Sequence, residues 1–177
     1  MKSYEFTSER LGFRTWKTSD FPKLLEMNTH QEVMRYFPTI QTAIQCREFI
    51  ERMETHYRQH GYCYFAVEEL ATEEFIGFIG LSLQTYDIDF NPSTDIGWRL
   101  LPNYWGKGYA TEGAKACLNY GFKELNLKEI VSVAPTINLP SLAVMKKIGM
   151  VKVKDFKHPL LTAYPELETC SLFAIQA

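Results

Sequence analysis

Between Asn103 and Gly113 the chain reads NYWGKGYATEG, with three glycines inside eight residues. A stretch with helical periodicity follows at once. The first turn of a helix leaves its N–H groups unpaired and carries the positive end of the helix dipole. Glycines just ahead of it let a ligand approach the main chain closely. Together they form a site for an anion such as phosphate or pyrophosphate. Two narrower readings fail on spacing. A P-loop needs Lys and then Ser or Thr after its last glycine, and here Tyr109 follows Gly108. A dinucleotide fingerprint finds Gly106 and Gly108 but has Thr111 in its third place, and Glu129 precedes the strand it would have to end. A glycine-rich turn without a ligand is the bland alternative.

Other reactive side chains are sparse. His56 and His60 stand four apart on a helical pattern, a spacing that can hold a metal ion, but no third ligand accompanies them and none is expected. Two polar residues near a helix C-terminus explain them equally simply. Cys46, Cys63, Cys117 and Cys170 are widely spaced with no C-x-x-C pair, which fits a reduced, cytoplasmic setting. No G-x-S-x-G elbow is present.

The elements that must position the glycine segment follow from periodicity. A strand is expected around Phe6 to Thr15, weakened by Gly12. A helix with Phe21, Leu24, Leu25 and Asn28 on one face comes next, with Pro22 early in it. A second helix starts at a capping box of Thr42 and Gln45, carries Cys46, Phe49, Ile50, Met53 and Tyr57 inward, and stops at Gly61. YCYFAVEE, FIGFIGLSL and TDIGWRLL then read as strands, the first two as a hairpin through LATEE. A helix from about Thr111 to Glu124, the short strand IVSVA, a helix capped by Asn138 and ended by Gly149, and the strands VKVKDF and ETCSLFAI complete the chain. The order β-α-α-β-β-β-α-β-α-β-β is that of one α+β domain over residues 1–177.

Composition narrows the function further. The 177 residues are 46% hydrophobic, enough for one well-buried core. A net charge of −2 without a long basic run argues against nucleic acid as partner. The longest apolar run is too short to cross a bilayer, and MKSYEFTSER lacks the apolar centre of a signal peptide, so no membrane partner is expected.

DIGWRLLPNYWGKGYATEGAKACLNYGF, followed by NLPSLAVMKKIGM, resembles the GNAT superfamily of acyl-CoA N-acyltransferases. The opening TSERLGFRTWKTSDFPKLLEMNTHQEVMRYFP is similar to the RimJ/RimL branch, the ribosomal-protein N-terminal acetyltransferases. The resemblance implies a central mixed, mostly antiparallel twisted sheet of about six to seven strands flanked by about four helices. It implies acetyl-CoA as co-substrate, with no metal, and an amine acceptor that is a protein N-terminus or a small molecule; it leaves a homodimer open. The family's loop [QR]-x-x-G-x-[GA] maps onto Trp105, Gly106, Lys107, Gly108, Tyr109 and Ala110, with Trp105 in place of Gln or Arg. By this mapping the amides from Gly106 to Thr111 hold the pyrophosphate, and Leu100, Trp105, Asn138 and Ser141 also face the cofactor. Trp105 serves there or as an ordinary rim or core aromatic.

Acetylating an amine requires removing its proton, since an α-amine has a pKa of about 8 and a lysine-like amine about 10.4. It also requires a donor for the oxyanion and, for the departing thiolate, an acid. By resemblance the base is Asp95, which is otherwise an ordinary strand-edge aspartate. The family's usual acidic Tyr is here Met145, which has no proton to give, so Ser141 becomes the candidate acid. Asp87 and Asp89 draw in a cationic amine or are plain loop charges. The acceptor side falls to the first two helices and to the loops near Tyr86 and His158. A non-catalytic acyl-CoA sensor of the same fold is the alternative reading.

Overall fold

In the computed structural model of the chain, which describes residues 3–177, eight strands form one sheet. They are β1 (Phe6–Thr7), β2 (Leu11–Arg14), β3 (Tyr64–Glu69), β4 (Glu74–Gln84), β5 (Ser93–Leu100), β6 (Glu129–Pro135), β7 (Val151–Lys157) and β8 (Thr169–Gln176). The helices are α1 (Phe21–Thr29), α2 (Ala43–His60), α3 (Tyr109–Lys123), α4 (Leu139–Lys147) and the single turn α5 (Pro165–Glu168). The single-domain expectation over 1–177 takes in Met1 and Lys2, which lie outside the described residues.

The order of long elements matches the expectation, with two differences. The first strand is a hairpin, because Ser8 to Arg10 turn the chain and pair Phe6 with Phe13. Gly12 survives inside β2 because the Tyr4 ring occupies the space a Cβ would need, 2.4 Å from its ideal position. A one-turn helix such as α5 is too short to show a 3.6-residue period, so the count rises to eight strands and five helices.

Sheet order is β1-β2-β3-β4-β5-β6-β8-β7. Every neighbouring pair is antiparallel except β5 and β6, which run parallel. The strand period of two divides β4 between two layers. Ile79 and Leu81 face α3, closely enough that a Cβ on Gly113 would sit 2.4 Å from Ile79 Cδ1. Phe78 faces the other way, against Phe49 of α2. Leu11, Phe13, Phe65, Ile76, Ile79, Leu81, Ile96 and Ile130 have essentially no exposure, each burial stabilising the fold by about 1.5–3 kcal/mol.

Arg14 and Trp16 pin the first strands in place. Arg14 is 4% exposed and grips Asp20 through two nitrogens at 2.7 Å, while its Nε donates to Glu68 at 2.7 Å. The Trp16 indole donates to the Tyr64 carbonyl at 2.7 Å. Together they tie β2 to β3 and to the start of α1. The α2 capping box forms as expected, with Thr42 and Gln45 bonding each other's backbone N–H, and Gly61 ends the helix in the left-handed conformation.

Candidate active site

The site begins with a fork in the sheet. The parallel strands β5 and β6 pair at one position, Asp95 with Val131. One step further, Ser132 Oγ donates to the Ile96 carbonyl at 2.9 Å, a side chain standing in for a ladder bond. Toward their carboxyl ends the strands make no further pair. Since the Ile96 carbonyl points toward β6, strand alternation turns the main-chain groups of Trp98 and Leu100 to the same open edge. The Leu100 carbonyl is taken by the Trp105 indole at 2.8 Å. Trp105 thus stays 44% exposed at the rim while its indole N–H anchors the loop.

Each prong of the fork leads into a helix. After β5 the chain passes through Leu101 to Gly108 and enters α3 at Tyr109, two residues earlier than the periodicity suggested. Gly106 and Gly108 have φ of 71° and 82°, the left-handed region where a side chain costs about 1–2 kcal/mol. The N–H groups of Tyr104 and Trp105 are occupied by the carbonyls of Leu101 and Pro102. Those of Gly106 through Thr111 have no acceptor among the described residues. Six consecutive unpaired donors at a helix start are a cradle that fits a pyrophosphate.

The cradle is braced from behind by the chain's opening residues. Glu112, in the first turn of α3, accepts from Ser8 Oγ at 2.7 Å, Arg10 N at 2.8 Å and Arg10 Nε at 2.6 Å. The same guanidinium donates to the Lys107 carbonyl at 3.1 Å and lies 4.3 Å over the Tyr109 ring. Tyr109 in turn donates to Glu69 of β3. Burial alone would raise the Glu112 pKa, but the bonds from Ser8 and Arg10 outweigh it and hold the carboxyl below its usual range.

On the second prong Asn138 caps α4, its Oδ1 accepting from Ser141 N at 3.2 Å. Its Nδ2 and the Ser141 hydroxyl have no hydrogen bond among the described residues, so both remain available. Met145 is buried in the core at 1% exposure and offers no proton.

Asp95 stands where the fork opens. Its Oδ2 accepts from the Tyr64 hydroxyl at 2.5 Å, and its Oδ1 is shut off from solvent without a hydrogen-bond partner among the described residues. Burial pushes the Asp95 carboxyl up to about 7, against the opposing bond from Tyr64 and a weaker pull from the Val133 N–H. Burial and the neighbouring Asp95 push the Tyr64 phenol well above its ordinary value, so it stays protonated and donating. Gln84 Nε2 donates to the Tyr64 oxygen at 3.3 Å. Tyr64, Gln84 and Ser82 also form the floor of a groove of about 890 Å³ against α2, whose wall carries Glu48, Glu51, Arg52 and His56.

The remaining candidates have quieter roles. His56 Nε2 accepts from the Leu83 N–H at 3.2 Å, and burial, with a smaller push from His60, lowers its pKa. Among the described residues no group of three or more His, Cys, Asp and Glu side chains is placed to hold a metal ion. Asp89 pairs with Lys154 of β7 at 2.5 Å. The Tyr86 and His158 rings meet at 4.8 Å, tilted by 30°. The four cysteines are buried and free. Tyr64, Arg10 and Glu112 carried no local signal, because each acts through a partner distant in sequence.

Comparison with known proteins shows the family. Residues 10–151 match the family model described as the acetyltransferase (GNAT) domain. An "uncharacterized N-acetyltransferase YnaD" of Bacillus subtilis is 32% identical over 152 residues, 85% of each chain. A GNAT-family acetyltransferase structure from Bacillus anthracis superposes with a TM-score of 0.79 at 29% identity, covering 96% of both chains. A spermidine N-acetyltransferase from Vibrio cholerae, solved with CoA and spermine, shares the fold at a TM-score of 0.75 and 19% identity, over 94% of this chain and 95% of its own. The chain belongs to the GNAT acetyltransferase family. It is an acetyl-CoA-dependent acyltransferase.

Proposed function

We propose that this enzyme, one GNAT domain over residues 1–177, transfers the acetyl group to a primary amine by direct attack in a ternary complex. The Gly106–Thr111 amides would hold the pyrophosphate. Asn138 Nδ2 and the Trp98 and Leu100 N–H groups on the open edge would meet the rest of the cofactor. Acetyl-CoA supplies the activated thioester. The acceptor enters from the opposite face, along the groove between α2 and β4, and its amine reaches Tyr64 and Asp95.

Asp95 takes the amine's proton on Oδ1. A base with a pKa of about 7 is matched to neutral pH, where a large share is ionised and still basic enough to accept. Tyr64 steadies the carboxylate and fixes its orientation. The Trp98 N–H, with no ladder partner across the fork, faces the place where negative charge develops on the carbonyl oxygen. The Ser141 hydroxyl is the available donor for the leaving sulfur. The single observation that carries the reading is the partnerless Asp95 Oδ1 at the opening of the fork.

The acceptor is a protein N-terminus or a small-molecule amine. The RimJ/RimL label rests on the opening residues. The four free thiols accord with a reducing cytoplasm.

The test is an unbiased screen of amines with acetyl-CoA, following thiol release, beside calorimetry of acetyl-CoA alone. Turnover that disappears in Asp95→Asn while acetyl-CoA still binds supports the proposal. Binding with no turnover on any amine supports a sensor instead.

A further inference from the structure

Among the described residues, two buried side-chain polar atoms lack a hydrogen-bond partner: Asp95 Oδ1 and Arg99 Nε. Both belong to β5. Positions 95, 97 and 99 of a strand point to the same face, so the two side chains project from one surface. That face is the one covered by α1 and α2, where Tyr64 lies over Gly97 with its ring 3.2 Å from an ideal Cβ.

The Arg99 environment is unusual for a cation. Its NH1 donates to Asn28 Oδ1 at 2.8 Å, and Asn28 is wholly buried. Its guanidinium lies 4.0 Å from the Phe37 ring centroid and 5.2 Å from that of Phe78. No carboxylate pairs with it among the described residues. Aromatic faces and one amide oxygen offset little of the cost of drawing a guanidinium out of water. The strong partner for its planar fork is a carboxylate or another oxyanion. Arg14 shows how this same chain treats a guanidinium that is purely structural, giving it two carboxylates. Arg99 has none.

We infer that the acceptor is an amine that also carries an anionic group, with Asp95 receiving the amine and Arg99 the anion. This rests on the acetyltransfer reading above and deepens it. The acidic atom lacks a donor and the basic atom lacks an acceptor, which is the complement of a zwitterion. Four residues at about 3.3 Å rise separate the two backbone positions by roughly 13 Å, the scale of an amino acid with a long side arm or a short peptide. A polyamine would place a second positive charge against Arg99.

The experiment compares three series of matched length on the full chain: ω-amino acids from glycine to 8-aminooctanoate, their primary amides, and the plain alkylamines. Calorimetry in the presence of CoA measures binding, and kcat/KM with acetyl-CoA measures transfer. At the fitting length the wild type is expected to favour the carboxylate by about tenfold or more over its amide. Arg99→Gln should bring that ratio to about one, Arg99→Lys should keep part of it, and neither should change CoA affinity by more than about twofold. Equal binding of acids and amides by the wild type at every length overturns the inference, and this result needs no variant to fold. Spermidine outperforming every acid overturns it too. So does Arg99→Gln weakening acids and amides alike, which marks a structural arginine, or weakening CoA itself, which assigns the cation to the cofactor's phosphates. Transfer to plain amines without any carboxylate preference removes this inference and leaves the acetyltransferase standing. Binding of the acids without turnover does the reverse.

Discussion

The Tyr64 hydroxyl lies 2.5 Å from Asp95 Oδ2, and the bond joins the floor of the groove beside α2 to the point where the sheet divides. One oxygen of the carboxylate is thereby fixed and the other, buried, has no hydrogen-bond partner among the described residues. On the proposed reading the two oxygens have separate tasks, and replacing Tyr64 or Asp95 tests each.

Asp95→Asn should lower kcat by about 10²–10⁴ and abolish the acidic limb of the pH profile. In the wild type that limb should rise through pH about 7, as the carboxyl ionises. A variant that keeps both its rate and its limb shows that Asp95 takes no part in the reaction.

The same substitution should stabilise the protein at neutral pH. Asp95 has a folded pKa raised from 3.8 to about 7, so the native state holds its proton more tightly than the unfolded chain. Its contribution is fully present below pH 3.8 and is lost as pH rises through about 7. Thermal melts from pH 4 to 8 should therefore show wild type losing stability relative to Asp95→Asn across that window.

Tyr64→Phe should move the acidic limb upward. The hydroxyl bond favours the ionised carboxylate, and removing it leaves burial unopposed on that side. The rate at high pH should fall by about tenfold or less, while KM for acetyl-CoA stays unchanged. A limb that stays in place or moves down would dissociate Tyr64 from Asp95.

Gly108→Ala should raise KM for acetyl-CoA several-fold with little change in the amine's KM. Its φ of 82° disfavours any side chain by about 1–2 kcal/mol, and relief of that strain would turn the amides away from their shared focus. Calorimetry with CoA measures the effect directly.

Glu112→Ala should cost about 1–3 kcal/mol of stability, because it strips Arg10 N and the Ser8 hydroxyl of their acceptor. It should weaken CoA binding as well, since Arg10 then loses its hold on the Lys107 carbonyl. Urea denaturation and calorimetry on one sample separate the two effects.

Local features were readable in the chain before any coordinates. The Thr42 and Gln45 box, the Asn138 cap and the Gly108 loop depend on residues within a few positions of each other, and each lies where its spacing placed it. Asp95 and Ser141 were placed by family likeness, and the geometry then showed what surrounds them. What stayed hidden is set by long-range pairing. Arg10 meets Glu112 across 102 positions, Arg99 meets Asn28 across 71, and Tyr64 meets Asp95 across 31. No short window of sequence contains both partners. The fork was equally hidden, because β5 and β6 each read as an ordinary strand, and only their register shows a ladder that stops after one pair.

That interrupted ladder makes the sheet incomplete as built. Trp98 and Leu100 present main-chain groups to a gap that β6 does not fill, and on the placement proposed above the arm of acetyl-CoA, itself built of amides, would take the vacant rungs as a guest strand. On the proposed placement, the supply of a metabolite then governs how firmly the two halves of the molecule are stitched together. At one hundred times its dissociation constant such a guest would add about 2.7 kcal/mol to the fold, so a cell rich in acetyl-CoA would hold a sturdier enzyme than a starved one.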